Sequence, residues 1–140
     1  MKRGSLYGEM SRYYDLIYQN KDYEGESERL LGIIGKEKKS KGKKLLDIGC
    51  GTGGHLKYLS DHFSCTGLDL NDGILSVARK KLSGVDLVLG DMCDFNLEDK
   101  YDVIISMFGT MGYCRTKENL KKAIKKISDH LVPGGLFLME

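Results

Sequence analysis

Residues 45–54 read Leu45-Leu46-Asp47-Ile48-Gly49-Cys50-Gly51-Thr52-Gly53-Gly54. An apolar strand, Leu45–Ile48, runs into a glycine-rich bend, and a helix is predicted beyond it from Gly53 to about Asp61. Glycine suits such a bend because a ligand can approach the backbone with no Cβ in the way, and some positions need positive φ. The helix start beyond it offers free N–H groups and a positive partial charge. A turn of this kind lies at the carboxyl end of a strand, where open α/β sheets bind ligands.

Downstream, short apolar runs alternate with helical segments. Strands are predicted at Cys65–Leu70, Val85–Leu89, Tyr101–Met107 and Leu136–Met139, the last after a turn at Pro133-Gly134-Gly135. Helices are predicted at Asp72–Leu82, with Asp72 as N-cap, and at Thr116–Leu131. The second helix carries Leu120, Ala123, Ile124, Ile127 and Leu131 on one face and lysines on the other. Apolar runs without alternation are what strands buried on both faces require. The fold class is therefore α/β: a Rossmann-like open parallel sheet with helices on both faces.

Upstream, residues 1–35 read as helical and amphipathic. Leu6, Met10, Tyr13, Tyr14, Ile17 and Tyr18 recur at helical steps, and Glu26–Ile34 forms a second helix closed by Gly35. Residues 1–43 are expected to be an N-terminal helical cap on a ligand-binding domain at 44–140. The run 36–44, KEKKSKGKK, holds six lysines but no aromatic or arginine for base stacking. It reads as a solvated helix end and loop.

The 140 residues leave room for one domain. With 41% hydrophobic and 30% charged residues, a packed core is expected. A net charge of +2 excludes a strongly basic nucleic-acid binder. No apolar run approaches the roughly 20 residues of a membrane span, and MKRGSLYGEM lacks the apolar stretch of a signal peptide. The four cysteines, Cys50, Cys65, Cys93 and Cys114, form no C-x-x-C pair. Reduced thiols in a cytoplasmic protein without a metal are expected.

The glycine spacing alone is ambiguous. Gly49, Gly51 and Gly54 satisfy the dinucleotide pattern G-x-G-x-x-G, while Gly49, Gly51 and Gly53 satisfy G-x-G-x-G. Asp69 closes the second strand, where a ribose-binding acid belongs in either case. Two acids favour a different ligand. Asp47 lies in the strand end, where a carboxylate repels a pyrophosphate and suits an ammonium or sulfonium. Asp91, in Gly90-Asp91-Met92, follows the third strand and fits an exocyclic adenine amine. Three acids at three strand ends suit a cationic adenosine, a description that S-adenosylmethionine meets. A nicotinamide-dependent oxidoreductase domain stays open as the alternative.

The run LLDIGCGTG, then GLDL, GDMCDF, YDVIISMF and HLVPGGLFLME resembles the class I S-adenosylmethionine-dependent methyltransferases from about Tyr13 to Glu140. With YYDLIY, KDY before Glu26, GTGGHL and MFGTMGY, it is most similar to small-molecule N-methyltransferases that form dimethylamino groups on nucleotide-linked amino sugars. The resemblance implies a cofactor site of thirteen residues. Asp47, Gly49, Cys50, Gly51 and Thr52 would surround the methionine part, and Gly53 would belong to the same cofactor site. Asp69 would bind the ribose hydroxyls, with Leu70 on the adenine. Asp91 would take the adenine amine and Met92 a ring nitrogen. Met107 and Phe108 would floor the site near sulfur, and Tyr14 would cover it, with Tyr23 a weaker candidate for the same role.

His55 reads as a capping or packing residue. Tyr113, His130 and Glu140 are the remaining candidates for a base, and none is assigned as catalytic. The acceptor implied is a small molecule, an amine. The resemblance also implies a seven-stranded sheet in the order 3-2-1-4-5-7-6. The chain is expected to show only 3-2-1-4-5, to bind cofactor with slow or absent turnover, and to self-associate through an exposed Leu136–Met139 edge.

Overall fold

The structure, a computed structural model, describes residues 13–140. Five strands form one parallel sheet: β1 Lys44–Ile48, β2 Ser64–Asp69, β3 Asp86–Leu89, β4 Tyr101–Ser106 and β5 Leu131–Met139. Their order is β3-β2-β1-β4-β5, as the sequence predicts. The helices are α1 Tyr14–Ile17, α2 Tyr23–Glu37, α3 Leu56–Leu59, α4 Asp72–Lys81 and α5 Lys117–Asp129, with a 3-10 helix at Thr110–Cys114.

The central strands β1 and β4 are buried on both faces, which is why their sequences read as unbroken apolar runs. Leu45, Val103 and Ile105 face one side and pack with Leu30 and Ile34 of α2, Leu56 and Leu59 of α3, and Leu75 of α4. Leu46, Ile48 and Ile104 face the other side and pack with Met111, Cys114, and Ala123 and Ile127 of α5. Leu30 and Ile34 thus share one core with the sheet. At roughly 25 cal/mol per Å² of apolar surface removed from water, such two-sided burial is the main stabilising term for the platform beneath the strand ends.

Several element boundaries differ from expectation, each for a local reason. Helix α2 passes through Gly35 to Glu37, since Gly35 does not adopt the left-handed φ of a helix stop. Helix α3 starts at Leu56, because Gly53 at φ +84 cannot continue a right-handed helix. Asn71, not Asp72, caps α4: its side chain accepts from the Ile74 N–H at 3.0 Å. Asp72 is instead the first helical residue and pairs with Arg79 at 3.4 Å.

Strand β5 begins at Leu131, and Pro133-Gly134-Gly135 forms an irregularity inside it rather than a turn before it. The Gly134 carbonyl there accepts from the N–H groups of Lys39 and Ser40, both at 2.9 Å. Only Ala123 and Ile127 of the α5 stripe are buried, while Leu120 and Ile124 stay 41% and 42% exposed. Leu136, Phe137 and Leu138 are half-buried by the two core layers rather than exposed, and only Met139 projects. The 36–44 run is largely solvent-exposed, as expected.

Candidate functional site

The carboxyl ends of β1, β2, β3 and β4 open into one cleft of about 680 Å³, a volume suited to a cofactor-sized ligand. The glycine bend after β1 hangs from β2: Gly49 and Cys50 both donate to the Leu68 carbonyl, at 2.7 and 3.0 Å. Gly49 has φ +72, and a Cβ there would lie 2.4 Å from the Thr110 methyl. Only glycine lets the bend and the 3-10 helix meet at this point.

Asp69 ends β2 with both carboxylate oxygens engaged by backbone. Gly51 N–H donates to Oδ2 at 2.9 Å, and Asn71 N–H donates to Oδ1 at 3.0 Å. The carboxylate is thereby fixed at the cleft with acceptor capacity to spare. Asp91 is held in a similar way by the Cys93 N–H at 2.8 Å.

Asp47 differs from both. It is 2% exposed, and among the described residues no hydrogen bond to its carboxylate is found. Burial, then the neighbouring Asp69 charge, pushes its pKa well above the usual carboxylate range. A buried acid facing a second acid favours a cation over an anion beside it. Cys50 beside it is a neutral thiol, raised far above its ordinary pKa chiefly by burial.

Asp47, Gly49, Cys50, Gly51, Thr52, Asp69, Leu70, Asp91, Met92, Met107 and Phe108 all line this cleft. Leu70 and Phe108 are 73% and 48% exposed, so each presents an open apolar surface at the mouth. Gly53 does not line it; it faces Leu82, 2.4 Å from where a Cβ would sit. Tyr14 begins α1, but its side chain lies outside the described residues.

Thr52 is buried and donates to Asp15 Oδ1 at 2.6 Å, while Lys81 reaches the same oxygen at 3.1 Å. These bonds tie α1 to the glycine bend. Tyr23 does line the cleft, pressed against Gly54 and edge-on to His55 at 5.0 Å. Burial, followed by the Asp15 and Glu26 charges, pushes its pKa to about 12, so it is a hydrogen-bonding phenol and not a base at neutral pH.

Of the residues considered as bases, Tyr113 lines the cleft, whereas Glu140 and His130 do not. His130 Nε2 accepts from the Leu97 N–H at 3.0 Å and Nδ1 donates to the Lys126 carbonyl at 2.6 Å. Its role is to tie α5 to the loop before β4. His55 occupies the N-cap position of α3 but makes no capping bond; its ring bonds to Glu26 instead.

Several lining residues escaped the sequence reading: Tyr18, Lys21, Asn71, Thr110 and Arg115. Asn71 was findable as an N-cap type beside Asp72. Tyr18, Lys21 and Thr110 lie inside YYDLIY, KDY and MFGTMGY, but those motifs carried no site role for these positions, and Arg115 lies outside every motif; tertiary packing brings all four to the cleft. Phe108 and Arg115, both with φ +59, bracket the 3-10 helix at the cleft mouth. Non-glycine residues in that region are held there by their surroundings and cluster at ligand sites.

Residues 45–135 match the family described as "Methyltransferase domain". A Streptomyces venezuelae dTDP-3-amino-3,4,6-trideoxy-alpha-D-glucopyranose N,N-dimethyltransferase is 38% identical over 130 residues, covering 91% of this chain and 54% of that protein. A dTDP-3-amino-3,6-dideoxy-alpha-D-glucopyranose N,N-dimethyltransferase of Streptomyces fradiae is 34% identical over 136 residues, 95% of this chain and 53% of that one. Among solved structures, Streptomyces venezuelae DesVI superposes with a TM-score of 0.87 at 37% identity, over 93% of this chain and 56% of its own. CalS10, an amino pentose methyltransferase from Micromonospora echinaspora solved with S-adenosylmethionine bound, gives 0.85 at 32% identity, over 91% and 55%. The chain spans about half the length of the curated relatives it matches. With the glycine bend, the three strand-end acids and the sheet order in agreement, the chain belongs to the methyltransferase domain family and is similar to its amino-sugar N-methyltransferases.

Proposed function

We propose that the cleft binds S-adenosylmethionine and that the chain is the cofactor-binding core of an enzyme that methylates a small amine, of the amino-sugar class. The observation that carries this reading is the buried carboxylate of Asp47, with no donor among the described residues, beside Asp69 and the glycine bend. That pair opposes a dinucleotide pyrophosphate and favours an ammonium. Family membership and the kinds of relative matched support it, and they weigh against the nicotinamide alternative.

The residues fit the cofactor. Asp47 and the bend at Gly49–Thr52 would hold its amino-acid part, Asp69 its ribose hydroxyls, and Asp91 with the Met92 N–H its adenine. When bound, it supplies a methyl group on a positively charged sulfur. The chain's own work is positioning and exclusion of water. Met107, Phe108, Tyr18 and Tyr23 line the cleft, and their side chains would exclude water from an acceptor nitrogen. Holding reactants at attack distance supplies much of the acceleration in such a reaction. An apolar enclosure favours loss of the charge on sulfur.

The amine acceptor is supported by three relatives of 30–38% identity whose names give amino sugars as substrates, and an RNA acceptor is disfavoured by the balanced charge. No helix among the described residues is long and apolar enough to cross a membrane. Unpaired thiols at all four cysteines fit the cytoplasmic setting that we assign. Self-association through β5, the last strand of the sheet among the described residues, is part of the proposal, and a concentration-independent monomer in sedimentation would remove that part.

Calorimetry with S-adenosylhomocysteine and with NAD tests the main reading. Micromolar binding of the first and none of the second is expected. No binding of S-adenosylhomocysteine, or equal binding of NAD, would sink it. Binding without methyl transfer to dTDP-linked amino sugars would reduce the chain to a cofactor-binding module.

A further inference from the structure

A second polar cluster lies in the cleft wall, apart from the three strand-end acids. Glu26 of α2 uses both carboxylate oxygens: Oε1 accepts from Lys21 Nζ and Oε2 meets His55 Nε2, each at 2.8 Å. The side chains are 17%, 13% and 8% exposed, so little water competes. Burial alone pushes the Glu26 pKa up, but the bonds from Lys21 and His55 outweigh it and hold the group below its ordinary value. An ionised carboxylate only accepts, so the hydrogen it shares with His55 belongs to Nε2. Nδ1 is then left with its lone pair, and among the described residues no group donates to it.

The ring is also fixed sideways. Tyr23 packs edge-on against it, and Lys21 lies 4.2 Å from the Phe108 ring centroid, closing the same wall. His55, Tyr23, Lys21 and Phe108 line the cleft that holds Asp47. Burial lowers the His55 pKa below its ordinary value, partly opposed by Glu26, which keeps the imidazole neutral at pH 7. The charged or titratable groups facing it are Glu26, Lys21 and Tyr23 from the α2 side and Glu140 at the end of β5.

An acceptor amine needs such a partner. An alkylamine with a lysine-like pKa of about 10 is neutral in only about one molecule in a thousand at pH 7. We propose that His55, oriented by Glu26, takes a proton from the ammonium form of the methyl acceptor, with Glu26 a positioning residue. This rests on the methyltransferase reading above. The N–H bond of the ammonium breaks, its electron pair stays on nitrogen as the nucleophile, and the proton forms a new bond to Nδ1. The resulting imidazolium sits opposite the Glu26 carboxylate and returns the proton to water when the product leaves.

The test uses ¹⁵N-labelled chain saturated with S-adenosylhomocysteine and titrated with 3-amino-3-deoxyglucose. His55 is expected as the Nε2–H tautomer, with its Nδ1 resonance moving toward the protonated position as the amine is added. Glu26→Gln should abolish the tautomer preference. In turnover with a dTDP-linked amino sugar, His55→Gln should slow kcat roughly 100-fold. Glu26→Gln should displace the acid limb of the pH profile, a change that a purely structural role would not produce. An Nδ1–H tautomer, an Nδ1 signal unmoved by millimolar amine, or unchanged kcat in His55→Gln would overturn the proposal. Failure of the wild-type chain to bind S-adenosylhomocysteine would instead overturn the methyltransferase reading itself.

Discussion

Asp69→Ala is the most informative single change, because its effects on folding and on binding can be worked out separately. The wild-type carboxylate accepts from Gly51 N–H at 2.9 Å and Asn71 N–H at 3.0 Å. The first bond shapes the glycine bend and the second aims the N-cap of α4. Hydrogen bonds to a charged group contribute about 1.5–3 kcal/mol each. Both donors are part-buried, so water replaces some of that, and loss of the like charge beside Asp47 offsets more. The ligand-free variant should therefore be destabilised by about 1–3 kcal/mol, which leaves it folded. Binding loses the ribose acceptors as well and should weaken roughly 100-fold, about 3 kcal/mol.

Asp69→Asn separates geometry from charge. Its single carbonyl oxygen can serve one of the two N–H groups, while its NH₂ then faces the other. Its affinity should be no better than that of the alanine variant. Urea unfolding without ligand and calorimetry with S-adenosylhomocysteine read the two effects independently. A folded alanine variant that binds within threefold of wild type would refute the assignment of Asp69.

Asp47 should show the opposite pairing of effects. Its folded pKa is raised, so the ligand-free fold loses stability as pH climbs from the ordinary carboxylate value through the raised one. Asp47→Asn should then melt higher than wild type at pH 7 yet bind S-adenosylhomocysteine more weakly; in the wild type, affinity should rise with pH across that window and binding should release protons, visible as a buffer-dependent enthalpy. Gly67→Ala places a Cβ 2.8 Å from Cys50 Sγ and 2.9 Å from Leu56 and Leu87, so overpacking of about 1–3 kcal/mol is expected in urea unfolding. Thr52→Val breaks the 2.6 Å bond to Asp15 and should speed S-adenosylhomocysteine release in stopped flow more than it changes stability.

What could be read from the chain, and what could not, follows from the range of the forces involved. The strands were legible because β1 and β4 are buried on both faces and leave no polar alternation. The three acids were legible because each lies within two residues of the end of an apolar strand, and the structure does bring Asp47, Asp69 and Asp91 to one cleft. Gly53 looked equivalent to Gly49 and Gly51 in spacing, but its left-handed φ turns it toward Leu82. Periodicity assigned Leu120 and Ile124 to the core, since a 3.6-residue repeat fixes direction and not the width of what lies beneath. Lys21, Glu26 and His55 were invisible as a unit. Glu26 and His55 lie 29 positions apart, and only the packing of α2 over the bend joins them.

The site holds its groups in forms that are unfavourable without a ligand. Asp47 is buried and faces Asp69, while Phe108 and Arg115 sit at positive φ. Each such feature costs of order 1–3 kcal/mol. Against that stands a sheet whose Leu45, Leu46, Val103, Ile104 and Ile105 are fully buried, each contributing about 1.5–3 kcal/mol. The core lies at the strand centres and the strain at the strand ends. A ligand cation that relieves the Asp47–Asp69 repulsion gains affinity from energy the fold already holds, so stabilising the empty site and tightening the loaded one require opposite substitutions.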